Sequence, residues 1–290
     1  MANTHYGRLG DVWKHLPLAE VLHRTEPREY WETHAGSARY PLPAVGADWT
    51  RDFGVHRFAE HAVGDGSLGD SAYARLLGGS LRGDDPHYPG SSTQAMRLLG
   101  AHARYVFCDT DPVSVRSLQV EVEGSGLTDW AEVHRGDGLA RVAQLADELP
   151  PADRAGALVH IDPFDPHAAD TEGGPSAIEL AGALAEQGFG VAFWYGLDEA
   201  EERGWAWRAL TAAGPRIGWW AAELSLAALG LPGIRELPNP GVGGCGLALA
   251  NVDRVVHEPI IGQQRAMVDA WADALMSGNY HGALVATVYG

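Results

Sequence analysis

The chain predicts a doubly wound, Rossmann-like α/β fold with a small helical insert near its start, and three observations carry that reading. From residue 91 onward, short aromatic and β-branched runs alternate with amphipathic stretches of roughly 10 to 16 residues, the rhythm of strand–helix units laid on a parallel sheet. The chain is 290 residues long, 46% hydrophobic and 20% charged, enough to bury a core without disulfide or metal staples. Between residues 41 and 90 the rhythm breaks into a stretch rich in Gly, Pro, Asp and His, which marks an insert between the first and second strands of the sheet.

Taken in order, "GDVWKHLPLAEVLHRT" (10–25) reads as a helix with Val12, Leu16, Leu18, Val21 and Leu22 as its apolar stripe, kinked at Pro17. "REYWET" (28–33) is a short strand. Inside the insert, helical patches fall near 55–63 and 70–78. The main domain is therefore expected over 1–40 and 91–290, with 41–90 as an inserted helical subdomain. Then come a helix at "SSTQAMRLLG" (91–100), a strand at "RYVFCDTD" (104–111), and a helix from Pro112 with Asp111 as its cap. "AEVHRGDG" (131–138) is a strand and "LARVAQLADEL" (139–149) a helix. "GALVHIDPF" (156–164) is a strand, followed by a helix over 176–188 and a strand over 189–197. A helix over 199–214, strands over 216–226 and 244–252, a helix over 260–277 and a strand over 283–288 complete the pattern. Gly241–Gly246 reads as a flexible hairpin, and Trp219-Trp220 as core or subunit contact.

The totals exclude several function classes. A net charge of −17, from 21 Lys+Arg against 38 Asp+Glu, argues against a general polyanion binder, whose affinity rests on a basic face. The single lysine, Lys14, stands out in a chain that otherwise uses arginine. Two cysteines, Cys108 and Cys245, make no disulfide framework and read as small buried residues. No apolar run reaches the roughly 18 residues of a membrane span. The first residues lack a basic segment followed by an apolar one, so a cytoplasmic location is expected. Thirteen histidines show no HxH, HExxH or Cys/His ligand spacing, so no metal is assigned.

In an open α/β sheet ligands bind beyond the carboxyl ends of the strands. Those ends carry Thr33-His34-Ala35-Gly36, then Asp109, then Gly136-Asp137-Gly138, then Asp162-Pro163-Phe164-Asp165, then Trp194-Tyr195. Three successive strands end in Asp, and all three converge on one crevice. Asp109 is suited to accept two hydrogen bonds from a ribose diol. "GDG" lets backbone lie against a flat ring while Asp137 reaches an exocyclic amine. Asp162 stands where an acceptor nucleophile sits, and the carbonyls of Asp162 and Pro163 accept from an amine. The turn Ala35-Gly36-Ser37-Ala38 has one glycine, too few for a dinucleotide pyrophosphate, and no Walker-type Gly-Lys-Ser/Thr occurs. Acidic strand ends fit a cationic or zwitterionic nucleoside, of which S-adenosylmethionine (SAM) is the commonest. Trp194 and Tyr195 either wall the acceptor pocket or pack in the core.

These residues resemble the bacterial 23S ribosomal RNA adenine-N6 methyltransferases of the RlmJ type. "GDVWKH" (10–15) is similar to that family's Asp-Val-Leu-Lys-His element, and "THAGSARY" (33–40) to its Thr-His-Ala-Gly-Ala-Gly-Arg-Tyr loop. "YPGS" (88–91) matches outright. "CDTDP" (108–112) falls on its Thr-Glu-Leu-His-Pro, "GDG" (136–138) on its Ala-Asp-Gly and "IDPF" (161–164) on its Ile-Asp-Pro-Pro-Tyr. The resemblance implies a SAM-dependent methyltransferase fold, with S-adenosylhomocysteine (SAH) as the product left behind. It implies that His15, His34, Ser91, Asp109, Asp137 and Gly138 bind SAM, with Lys14, Ala35 and Gly36 beside it. It implies that Asp162 orients the acceptor amine as the first residue of a catalytic tetrad Asp162, Pro163, Phe164 and Asp165.

Two departures matter. Ala38 replaces the second glycine of the family loop. The tetrad is Asp-Pro-Phe-Asp rather than Asp-Pro-Pro-Tyr, so Asp165 stands where the family has an aromatic that stacks on the flipped base, and Phe164 brings the aromatic one place earlier. Three functions follow as expectations: methylation of adenine in RNA, methylation of a small-molecule amine, or SAM or RNA binding without catalysis.

Overall fold

The computed structural model describes residues 4–64, 66–82, 85–169, 173–197, 202–225, 243–277 and 285–290. Helix α1 (Leu9–Thr25) leads into strand β1 (Glu29–Glu32), which becomes the centre of the sheet. The insert follows. It opens and closes with two strands the sequence pattern did not reveal, β2 (Arg39–Pro41) and β3 (His87–Pro89), paired antiparallel. Their three-residue length and two prolines hide them from any period-2 reading. Between them lie α2 (Trp49–Arg51), a π-helical turn (Asp52–His56), α3 (Arg57–Ala62), α4 (Gly66–Gly69) and α5 (Ala72–Ser80). The two expected helical patches fall on α3 and α5. Phe58 and Tyr73, both fully buried, join these helices to the core shared with α1.

Helix α6 (Ser91–Leu99), β4 (Arg104–Asp109), α7 (Pro112–Gly124), β5 (Ala131–Arg135), α8 (Gly138–Glu148) and β6 (Ala157–Ile161) come next, then α9 (Ala177–Glu186) and β7 (Gly190–Leu197). The chain continues through α10 (Trp205–Ala213), β8 (Trp220–Ser225), β9 (Gly244–Ala250), α11 (His257–Ser277) and β10 (Val285–Tyr289). The expected start of α10 at 199 moves to Trp205, where Gly204 caps the helix in a left-handed conformation, and part of that stretch lies outside the described residues. The order across the sheet is β10-β8-β9-β7-β6-β1-β4-β5. The chain lays β4 and β5 on one side of β1 and β6 on the other, so the order reverses at β1 and opens a crevice beyond the carboxyl ends there.

Residues alternate between two cores, as the strand period demands. Tyr30 and Phe107 face a core with α1, α6, α7 and α11, while Trp31 and Val106 face one with α8, α9 and α10. Burial on both faces explains why the central strands read as continuous apolar runs.

The sheet is not wholly parallel as expected. β9 runs antiparallel between β7 and β8, and β10 runs antiparallel to β8. The glycines read as a hairpin belong, from Gly244, to β9, while 241 and 242 lie outside the described residues. Gly246 is needed by packing: a Cβ there would sit 2.4 Å from the ring of Tyr195. Trp219 and Trp220 are buried in the core, as are both cysteines. No helix of the described residues is long and apolar enough to cross a membrane.

Candidate active site

Beyond the carboxyl ends of β1, β4, β5 and β6, two adjoining clefts of about 350 and 480 Å³ share His34, Asp109, Thr110 and Phe164 as walls. The first continues along Thr33, Asp137, Gly138 and Asp165. The second continues along Asp11, Lys14, Gly36, Asp162 and Pro163. The structure therefore gathers the three strand-end acids around one crevice.

The turn after β1 shows why one glycine suffices. Gly36 adopts φ 62°, and a Cβ there would lie 2.5 Å from the Tyr40 hydroxyl. Its N–H donates to Asp109 Oδ2 at 2.8 Å, and the Ser37 N–H donates to Tyr40 Oη at 2.8 Å. Ala38 has no left-handed backbone, and its carbonyl accepts from Gly90 N at 2.8 Å and Thr93 Oγ1 at 2.6 Å. The alanine that departs from the family loop thus costs no backbone strain. At the opposite wall, a Cβ on Gly138 would meet the Thr33 carbonyl at 1.9 Å, so only glycine lets the loop after β5 lie on the loop after β1.

Two of the three acids also serve their own loops. Asp109 Oδ1 accepts from Asp111 N at 2.8 Å, so its carboxylate braces both its own turn and Gly36. Asp137 Oδ1 caps α8, accepting from Leu139 N at 2.9 Å and Ala140 N at 3.3 Å.

The third acid is held differently. Lys14, reaching over from α1, places Nζ 2.7 Å from Asp162 Oδ2 and 3.1 Å from Asp11 Oδ1, with the Trp194 ring centroid 5.4 Å away. Burial works to lower the Lys14 pKa, but the Asp11 and Asp162 carboxylates outweigh it and raise it well above the ordinary lysine value. The only lysine of the chain thus holds the candidate catalytic acid.

The rest of the tetrad is exposed apart from Pro163. Phe164 is 91% exposed and lines both clefts. Asp165 turns back on its own loop, Oδ1 accepting from His167 N at 2.9 Å.

His15 and Ser91 do not line either cleft; they are buried beneath it. His15 Nδ1 shares a 2.6 Å hydrogen bond with the Tyr88 hydroxyl, and Ser91 Oγ donates to Glu32 Oε2 at 3.0 Å. Ala35 continues the β1–β4 ladder, its N–H donating to the Cys108 carbonyl at 2.8 Å. Trp194 and Tyr195 are core residues.

The sequence reading missed Glu32 and Asp11. Glu32, fully buried, accepts from Tyr30 Oη at 2.5 Å and Ser91 Oγ at 3.0 Å, with His160 Nδ1 at 3.7 Å across the in-register β1–β6 pair. An acid buried one residue before the strand-end turn was the available signal.

Burial lowers the pKa of three histidines in and under the site. His5 falls to about 4, with Arg8 adding to the effect, and His15 and His34 also fall below the ordinary 6.5. Below about pH 6.5 the unfolded chain therefore binds protons that the folded chain refuses, so stability is full above that pH and drops as pH falls towards 4. The thermal midpoint is expected to decline over that window. A flat midpoint would show that these imidazoles take up protons in place.

Ribosomal RNA large subunit methyltransferase J of Escherichia coli (strain K12) is 30% identical to this chain over 170 residues, covering 55% of this chain and 56% of that protein. The chain thus matches just over half the length of that relative. No protein-family model matches the chain. The solved structure of a Legionella pneumophila protein of the family DUF519 superposes with a TM-score of 0.69 at 21% identity, over 99% of this chain and 98% of that one. An O-methyltransferase of Bacillus cereus, solved with SAH, superposes with a TM-score of 0.39 at 13% identity, over 80% of this chain and 78% of that one. The chain has a Rossmann-like α/β fold with a mostly parallel central sheet, shared with the Legionella pneumophila protein, and the match to methyltransferase J bears out the resemblance to that family.

Proposed function

We propose that the protein is a SAM-dependent methyltransferase that methylates an exocyclic amine of an RNA base, adenine by its resemblance, with SAH as product. The observation that carries this reading is Asp162 held 2.7 Å from buried Lys14 at one end of a crevice whose other end presents Asp109 and the Asp137-Gly138 turn.

The residues fit the donor. Carboxylates and backbone, with no glycine-rich phosphate cradle, suit a nucleoside that carries positive charge and no phosphate. Asp109 and Asp137 would hold its ribose and adenine, and His34 and Gly36 would flank it. SAM, when bound, supplies a methyl group on a sulfonium to a nitrogen lone pair aligned with the breaking bond.

The chain's own part is alignment, which supplies much of the rate in such displacements. Asp162 accepts a hydrogen bond from the acceptor amine and so turns its lone pair. Lys14 holds the Asp162 carboxylate in place. Pro163 offers a carbonyl and no N–H to the same amine. Phe164, exposed at the mouth, offers a face on which a flipped base stacks.

A second reading, methylation of a small cationic amine, is favoured by the acids that line the crevice: Asp11, Asp109, Asp111, Asp137, Asp162 and Asp165. Calorimetry with SAH, then transfer of labelled methyl from SAM to unmodified ribosomal RNA or to a panel of small amines, separates the two. Binding of SAH and labelling of RNA are expected. Binding of neither SAM nor SAH would remove the methyltransferase reading, and labelling of small amines alone would establish the second.

A further inference from the structure

We propose that Asp11 is a positioning residue of this site, holding Lys14 on Asp162 with one carboxylate oxygen and the N-terminal wall of the crevice with the other. The inference rests on the reading of Asp162 as the acid that meets the acceptor.

Asp11 lies in the first turn of α1, three residues before Lys14, so the two side chains share a face of the helix. Its Oδ1 stands 3.1 Å from Lys14 Nζ, and its Oδ2 accepts from the Gly7 N–H at 2.9 Å. Both partners of the ion pair are nearly shielded from solvent, the side chains being 7% and 12% exposed, so the contact is not a solvated surface pair. Gly7 in turn accepts from Val55 N at 2.9 Å, and Arg51 Nη2 donates to the Thr4 carbonyl at 2.6 Å. Thr4 and His5 line the cleft. The segment over 4–8 is thus a wall pinned on one side by Asp11 and on the other by the insert.

The charge arithmetic gives Asp11 a second task. A lone lysine against Asp162 would cancel its charge. With Asp11 sharing the ammonium, the trio of Lys14, Asp11 and Asp162 carries a net charge of −1, and Asp162 stays a strong acceptor for an amine. Among the described residues, the titratable groups within electrostatic reach of Lys14 also include His15 on the same helix, Tyr40 of β2 and Cys245 of β9.

Lys14 reports on itself, because it is the only lysine. Protein carrying ¹³C at lysine Cε gives one side-chain resonance whose pH titration belongs to Lys14. In the native chain that resonance is expected to stay in its charged position past the ordinary value of about 10.4. Asp11→Asn is expected to bring the titration to lower pH, and Asp162→Asn to lower it as well, because each removes one of the two carboxylates that offset burial. Asp11→Asn is also expected to lower turnover by about 10- to 100-fold with SAH affinity kept within about twofold, and Asp11→Glu to restore part of it. A Lys14 titration identical in Asp11→Asn and native protein would overturn the proposal, as would full turnover in that variant. So would a Lys14 titration identical in Asp162→Asn and native protein, which tests the contact without altering Asp11. If native protein binds no SAH, the methyltransferase reading fails, while the Lys14 titration still decides the contact.

Discussion

Replacing Asp162 with alanine is expected to lower methyl transfer by about 10²- to 10⁴-fold, the range for a group that acts directly on the reacting amine. SAH binding is expected to stay within a few-fold. The asymmetry follows from where the residue sits. Asp162 lines only the cleft that also holds Asp11 and Lys14, whereas Asp137 and Gly138 line only the other. The fold should tolerate the change. Removing one partner of a buried ion pair normally strands a charge at a cost of several kcal/mol, but Lys14 keeps Asp11 at 3.1 Å. Asp162→Asn is the sharper control, because it preserves shape and one acceptor oxygen while removing the charge. Native turnover in Asp162→Ala would show that the acid does not touch the acceptor.

Much of this site was legible because its residues stand at places the chain marks twice. Asp109, Asp137 and Asp162 each end an apolar run, and strand ends are where an open α/β sheet builds its crevice. Their convergence needed only the right strand order, and alternation of strands and helices supplied that for β1, β4, β5 and β6. The same rule failed beyond β7. An antiparallel β9 between β7 and β8 leaves no local signature, since burial on both faces gives the same small and apolar residues in either direction.

What the sequence hid were the roles set by distant partners. Asp11 reads as an acid in the first turn of a helix, a common place for one; only the fold shows that it holds Lys14, which reaches Asp162 across 148 residues of chain. Glu32 reads as the last but one residue of a short strand over 28–33, and the fold makes it a fully buried side chain beside His160. His15 and Ser91 show the converse. Their motifs place them next to the site, yet packing turns His15 to Tyr88 and Ser91 to Glu32, under the crevice floor. They shape it from below.

The second large effect is expected at Asp109. Alanine there should weaken SAH by roughly 1–3 kcal/mol and also lower fold stability by a similar amount, because the carboxylate serves two masters. Its oxygens take the N–H groups of Gly36 and Asp111, both at 2.8 Å and in part-buried surroundings. Deleting it leaves two backbone donors unpaired and releases the one glycine turn on which the donor would rest. Each oxygen still has a lone-pair direction for a ribose hydroxyl, so bracing and binding are compatible. Denaturant unfolding and calorimetry on Asp109→Ala and Asp109→Asn separate them: the amide keeps one acceptor for the backbone but cannot satisfy both N–H groups and a diol. If stability falls in Asp109→Ala while SAH affinity holds, the acid is a loop brace alone, and the ribose must be bound by other groups of the crevice.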